Sequence, residues 1–180
     1  MTAARAVTIP GRVFAATDVH YLRGGGARAA VVVAGDAAFS AVLAERTAVV
    51  SAVPPYQPGA FFRRELPPLR AVLAGIAGLG LVVVDGYVDL DPDGRPGLGA
   101  HVHAEFGVPV IGVAKTAFRT ATHAVPVLRG RSARPLFVTA AALPVTDAAR
   151  LVQDMAGGFR LPDALRRADA LARSPADGLG

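Results

Sequence analysis

Five apolar runs, rich in β-branched residues and set out in a fixed order, constrain what this chain can fold into more than any other feature. Arg12 to His20 (RVFAATDVH) and Ala27 to Ala34 (ARAAVVVA) read as two strands joined by a turn at Arg23-Gly24-Gly25-Gly26, which makes a hairpin. Thr47 to Val53 (TAVVSAV) follows closely enough to extend the hairpin into an antiparallel meander. Pro54-Pro55-Tyr56-Gln57-Pro58-Gly59 then stops it, because proline cannot donate to a ladder and holds the residue before it extended. The segment is expected to be a stiff, exposed loop that holds Tyr56 between prolines.

From Ala60 the period changes: Phe61, Phe62, Leu66, Leu69, Val72, Leu73 and Ile76 recur at helical spacing, with Arg64 and Glu65 on the same turn. Pro67 and Pro68 predict a break in this helix or a late start to it. Leu81 to Val84 (LVVV) is apolar on both faces, the mark of a buried parallel strand, and it ends at Asp85-Gly86. A polar loop from Asp89 to Pro96, a helix from Leu98 to Phe106 and a second buried strand from Val108 to Ala114, ending at Lys115, come next. Two weaker strands are expected near Ala124 to Leu128 and Leu136 to Thr139, then helices at Asp147 to Met155 and Ala164 to Ala172. Three antiparallel strands followed by helix, parallel strand, helix and strand is the order of an α/β, ribonuclease H-like fold, with a mixed central sheet flanked by helices. No repeat or linker divides residues 1–180, so one domain is expected.

Composition narrows the chemistry. With no cysteine, a disulfide scaffold, a thiolate zinc site and a cysteine nucleophile are all excluded. His20, His101, His103 and His123 lack metal-ligand spacing, so a metal would sit on carboxylates. No P-loop or Gly-x-Ser-x-Gly pattern is present. The first residues lack the apolar core of about 7–15 residues that an export signal needs, and no stretch approaches a membrane span of about 18 apolar residues. A soluble, cytoplasmic protein is expected. A net charge of +5 and a pI near 10.6 suit a polyanionic partner such as nucleic acid. Arginine supplies every basic side chain except Lys115, and a lone lysine against that habit marks a place where a compact ammonium is wanted.

Three acidic residues stand out on this frame: Asp18 late in the first strand, Glu65 in the first helix region and Asp85 at the end of the fourth strand. With the fourth strand beside the first, they can converge. Carboxylates that converge bind Mg²⁺ or Mn²⁺ through hard oxygen ligands, and such an ion activates water and neutralises charge on a phosphoryl transition state. Lys115 can add a positive charge at the phosphate. Each has a plainer reading: Asp85-Gly86 also fits a turn, Glu65 alone fits a solvated helix face, and Asp89, Asp91 and Asp93 fit a solvated loop. Asp18, flanked by apolar strand residues, is hardest to explain as surface.

These residues resemble the endonuclease V family of repair nucleases. Pro55-Tyr56-Gln57-Pro58-Gly59 is similar to the family's Pro-Tyr-Ile-Pro-Gly wedge, and Arg64-Glu65 falls at the family's spacing after it. Val84-Asp85-Gly86 matches its Val-Asp-Gly, and Asp18-Val19-His20-Tyr21 its Asp-Val-Ser-Tyr. Val108 to Lys115 (VPVIGVAK) and Arg160-Leu161-Pro162 through Arg166, Ala168 and Asp169 match two later motifs. The resemblance implies Asp18, Asp85 and Glu65 as ligands of Mg²⁺ (Mn²⁺ substituting), Lys115 near the scissile phosphate and Asp169 as an auxiliary acid. It also implies Tyr56, with Pro55 and Arg64, at the nucleic acid, and Gly112 giving backbone room to an extruded base. The expected activity is hydrolysis of a phosphodiester 3′ to deoxyinosine or inosine, leaving 5′-phosphate ends, by a monomer acting on DNA, with RNA left open.

Two departures carry a second expectation. Asp91-Pro92 stands where the family has His-Pro, and Thr139 to Leu143 (TAAAL) replaces a polar Ser-Pro-Gly-His-Arg loop. A paralogue that binds nucleic acid or a protein partner without cutting would carry such changes.

Overall fold

A computed structural model describes residues 12–175. Seven strands form one mixed sheet: β1 (Val13–Tyr21), β2 (Ala27–Ala34), β3 (Val42–Val50), β4 (Leu79–Asp85), β5 (Val110–Ala114), β6 (Val125–Val127) and β7 (Leu136–Ala141), in the order β3-β2-β1-β4-β5-β7-β6. The first three pair antiparallel, and β4 and β5 continue the sheet parallel to β1. The ribonuclease H-like arrangement expected from the sequence is the one observed. Helices α1 (Phe62–Leu73) and α2 (Leu98–Phe106) cover one face, while α3 (Val145–Asp154) and α4 (Asp163–Arg173) cover the other. Among the described residues no helix is long and apolar enough to cross a membrane.

The sheet is buried on both sides, which is why β2 reads as a continuous apolar run and is buried at every position. Even-numbered residues of β1 (Phe14, Ala16) and odd-numbered ones of β4 and β5 (Leu81, Val83, Ile111, Val113) face α3 and α4. Ala15, Val82, Val84 and Val110 face α1 and α2.

Three expectations need correction. The third strand runs from Val42 to Val50 and not from Thr47 to Val53, because its partner β2 sets its length through pairs from Ala34↔Val42 to Ala27↔Val50. Being an edge strand with mostly exposed side chains, it carries Glu45 and Arg46 and does not stand out as an apolar run. Helix α1 neither breaks nor starts late at Pro67 and Pro68 but holds both in its interior. It gives up their backbone bonds, while Leu69, Val72 and Leu73 bury against the sheet and offset that loss. The last strand continues past Thr139 to Ala141, so most of the segment expected as a loop is β7, paired with β5 through Gly112↔Thr139 and Ile111↔Ala140.

Candidate active site

The β1–β4 ladder ends at Ala16↔Val83, and the Thr17 hydroxyl donates to the Val83 carbonyl at that point (3.1 Å). Two residues further on, Asp18 and Asp85 lie in register on the same sheet face, where the strands no longer bond and β4 stays paired only to β5. Lys115 follows Val113 on that face, at the end of β5. A crevice beyond the carboxyl ends of parallel strands is where open α/β sheets hold their chemistry, and here the alternation of β1, β4 and β5 aims an aspartate, an aspartate and a lysine into it.

Helix α4 brings Asp169 to the same hollow, which Thr17, Leu161 and Leu165 also line. Two arginines fix this helix. Buried Arg28 on β2 donates to the carbonyls of Ala172 and Ser174 at its C-terminal end, and Arg167 forms a bidentate pair with Glu45 on β3 (2.7 and 2.8 Å). From the opposite face α1 contributes Glu65, which is buried and accepts a hydrogen bond from the Tyr21 hydroxyl. The Arg64 guanidinium stacks on the Tyr21 ring at 4.1 Å.

Asp18, Glu65, Asp85 and Lys115 thus line one cavity of about 640 Å³. Five further aromatics line it, exposed Tyr56 with Phe61, Phe62, Tyr87 and Phe118, together with apolar residues such as Val19, Leu90 and Leu98. Tyr87 is fixed by its hydroxyl, which donates to the Thr116 carbonyl (2.8 Å) and accepts from the Phe118 amide (3.0 Å). The sequence reading assigned no role to Tyr21, Tyr87 or Phe118. An aromatic directly after Asp85-Gly86 was the available signal for Tyr87.

Charge in the crevice is out of balance. Burial and then the neighbouring Asp85 push the Asp18 carboxyl up to about 7, and Asp18 shares a hydrogen bond with Asp169. Burial also dominates at Glu65, where it outweighs the Tyr21 hydrogen bond and, with Asp18 and Asp85 nearby, raises the carboxyl to about 7. Burial pulls the Lys115 ammonium down, but its ion pair with Asp85 (2.7 Å), Asp18 and Asp169 outweigh that and hold it above the ordinary lysine value. Burial works against the Asp169 charge too, yet Arg173 and Asp18 bond it and keep it below the usual range. As placed, each acid is engaged elsewhere, and among the described residues no three close around a single point.

Two other expectations resolve differently. Asp91 does not enter the cavity, because its Oδ1 accepts from the Asp93 and Arg95 amides (3.1 and 3.0 Å) and closes its own loop. Gly112 does not line it either. A Cβ there would stand 2.6 Å from the Gly86 oxygen, 2.7 Å from Thr139 Oγ1 and 2.8 Å from the Val88 nitrogen, so Gly112 lies beneath the Gly86–Val88 turn.

The family model described as Endonuclease V matches residues 2–170. An endonuclease V from Streptomyces coelicolor is 37% identical over 170 residues, 82% of this chain and 71% of that one. An endonuclease V from Azotobacter vinelandii is 35% identical, over 89% of this chain and 81% of that one. The crystal structure of the Streptomyces avermitilis endonuclease V superposes with a TM-score of 0.77 at 28% identity, covering 96% of this chain and 85% of that one. A likeness in fold extends to a Ciona intestinalis endonuclease V solved with a 23mer DNA containing an inosine followed by a ribo-adenosine (TM-score 0.75, 19% identity, 91% and 85% covered). With its family model matched along nearly its whole length and such relatives aligned over most of theirs, the chain belongs to the endonuclease V family.

Proposed function

We propose that this protein is a Mg²⁺-dependent endonuclease that takes a deaminated purine out of the stack and hydrolyses the phosphodiester on its 3′ side. The observation that carries the reading is that Asp18, Glu65, Asp85 and Lys115 line one cavity together with Tyr56, Phe61, Phe62, Tyr87 and Phe118. Planar aromatic walls suit a flipped base, and acids with an ammonium suit a phosphate held beside a divalent ion. The donor set is all carboxylate oxygen, and carboxyls that burial and each other's charge keep from ionising would gain most from a hard cation beside them. When bound, the ion would lower the pKa of a water and offset charge on the phosphoryl oxygens. Asp18, Asp85 and Glu65 would hold it, with Glu65 and Asp85 exchanging their present contacts to Tyr21 and Lys115. Lys115, freed from Asp85, would face the phosphate. Tyr56, exposed on its proline-flanked loop and lining the cavity, would fill the gap that the departing base leaves. Asp91 is held in its own loop by the Asp93 and Arg95 amides, which leaves the metal to the other three carboxylates on this reading.

The direct test is cleavage of matched oligonucleotides with and without one central deoxyinosine or inosine, in Mg²⁺, Mn²⁺ and EDTA. Cutting confined to the modified strands and abolished by EDTA is expected, and retained binding without cutting in either metal would replace this reading with the paralogue.

The ion reading also has a pH signature. Asp18 and Glu65 keep protons in the fold up to about 7 that an unfolded chain releases near pH 4. The folded state then binds more protons between those values, so this contribution is complete below about pH 4 and is lost as pH rises through about 7. Asp36, Glu45 and Glu105 have lowered values and change charge below that window. The metal-free melting temperature is expected to fall between about pH 5 and pH 8, and Mg²⁺ to raise it more at the higher pH, where the ligands are ionised. An equal Mg²⁺ effect at both values would count against carboxylate ligation.

A further inference from the structure

The exposed aromatic side chains of the described residues are Tyr56, Phe61, Phe118 and Phe159, and the first three line the main cavity. Phe159 does not. It is 59% exposed on the bend between α3 and α4, two residues before Leu161, which lines the hollow that holds Asp18, Asp85, Lys115 and Asp169. We propose that Phe159 and the arginines around it form a second nucleic-acid contact, a stacking platform for a base of the substrate strand outside the cavity. The proposal rests on the nuclease reading above.

The bend is held rigidly. Arg129, 4% exposed, donates to the carbonyls of Met155, Gly157 (3.0 Å) and Phe159 (2.9 Å), with no carboxylate partner among the described residues. The Ala156 amide bonds the Ala38 carbonyl (2.7 Å), and the Asp163 amide bonds that of Ala156 (3.0 Å). A phenylalanine on a Gly-Gly bend would ordinarily sample several rotamers. Here the Arg166 guanidinium packs over the ring at 4.1 Å and restrains it, while the ring stays 59% exposed. Part of the ordering cost of stacking a base there is therefore already met.

The bend is also tied to the reaction centre. Arg160, next to Phe159, donates to the backbone carbonyl of Lys115 and to those of Pro135 (2.8 Å) and Arg134 (3.0 Å), and Leu161 lines the carboxylate hollow. A nucleotide on Phe159 would thus belong to a strand whose phosphate lies at Lys115. Arginines outnumber acids around the bend: Arg131 and Arg134 make no ion pair among the described residues, and of the acids flanking it Asp163 is paired with Arg166 (3.2 Å) while Asp154 ends α3, exposed. An exposed π-face set among unpaired guanidiniums is the pattern that holds a single strand by stacking and phosphate contact, without base readout.

The test is fluorescence anisotropy in EDTA, where binding is separated from cutting, on a labelled single-stranded deoxyinosine oligonucleotide with about ten nucleotides on both sides of the base and on versions shortened on either side. Phe159→Ala is expected to bind the long strand roughly tenfold more weakly, and Phe159→Trp to match the original protein. The alanine deficit should vanish on one of the two shortened strands. Unchanged binding of the long strand by Phe159→Ala, or the same loss on all three, would overturn the platform. Cleavage of the long strand by the unaltered protein in Mg²⁺ is scored separately, so failure of the nuclease reading is visible on its own.

Discussion

Asp85→Ala is expected to slow cleavage of a deoxyinosine strand by on the order of 10³-fold while leaving the fold in place. The two parts of this result have separate causes. Chemically, Asp85 lies between Asp18 and Lys115 at the point where β1 and β4 part, so its loss would remove one of the three carboxylates proposed to hold the ion and free the lysine from its ion pair. Structurally, little depends on it. Its side chain is about one-third exposed (32%), its partner Lys115 more so (43%), and such exposed pairs contribute about 0–1 kcal/mol. Removing a negative neighbour also relieves Asp18 and Glu65, whose carboxyls its charge helps to hold near 7. The variant should therefore melt within a few degrees of the original protein, and the pH-dependent fall in its stability should shift to lower pH. Asp85→Asn, which keeps the shape but not the charge, should be as inactive as the alanine variant. An Asp85→Ala protein that retained a tenth of the original rate would remove this residue from the chemistry.

What the sequence made legible divides along a physical line. Elements whose residues are patterned by burial could be read. The fully buried β2 and the helix α2 lie where their apolar spacing puts them, and the ends of two continuous buried runs were enough to set Asp85 and Lys115 at strand ends. Asp18 was conspicuous because an acid in an otherwise apolar strand needs a reason. Strand β3 was misplaced because an edge strand exposed on most positions takes its limits from its partner and not from its own composition. The prolines of α1 mislead for a related reason, since local propensity loses to the tertiary burial of Leu69, Val72 and Leu73. Contacts that join distant segments left no local trace. Tyr21 reaches Glu65 across 44 residues, and Thr139 Oγ1 accepts from the Val88 amide across 51. Asp91 could be read as a turn former or as a displaced ligand, and the amides of Asp93 and Arg95 that close its loop were not visible in the sequence.

Gly112→Ala is expected to lower stability by about 3 kcal/mol, combining overpacking in a closed site (about 1–3 kcal/mol) with the strained or lost bond between the Val88 amide and Thr139 Oγ1. For a chain of this size that corresponds to a fall in melting temperature of roughly 6–12 °C. The added methyl would meet backbone atoms of Gly86 and Val88, not the end of a flexible side chain, so the turn must lift or the β5–β7 pairing must open. That turn carries Tyr87, whose hydroxyl joins Thr116 and Phe118 into the cavity wall, and it follows Asp85 directly. Cleavage should therefore fall together with stability, and Thr139→Val should reproduce part of both effects by removing the acceptor without adding bulk to Gly112. The family resemblance led to a different expectation, in which Gly112 makes room for the base itself. On that account Gly112→Ala would weaken binding of deoxyinosine strands relative to unmodified ones and leave the melting temperature unchanged. A stable Gly112→Ala protein with that selective defect would place the glycine at the base, whereas a destabilised one with parallel losses places it under the turn that shapes the cavity.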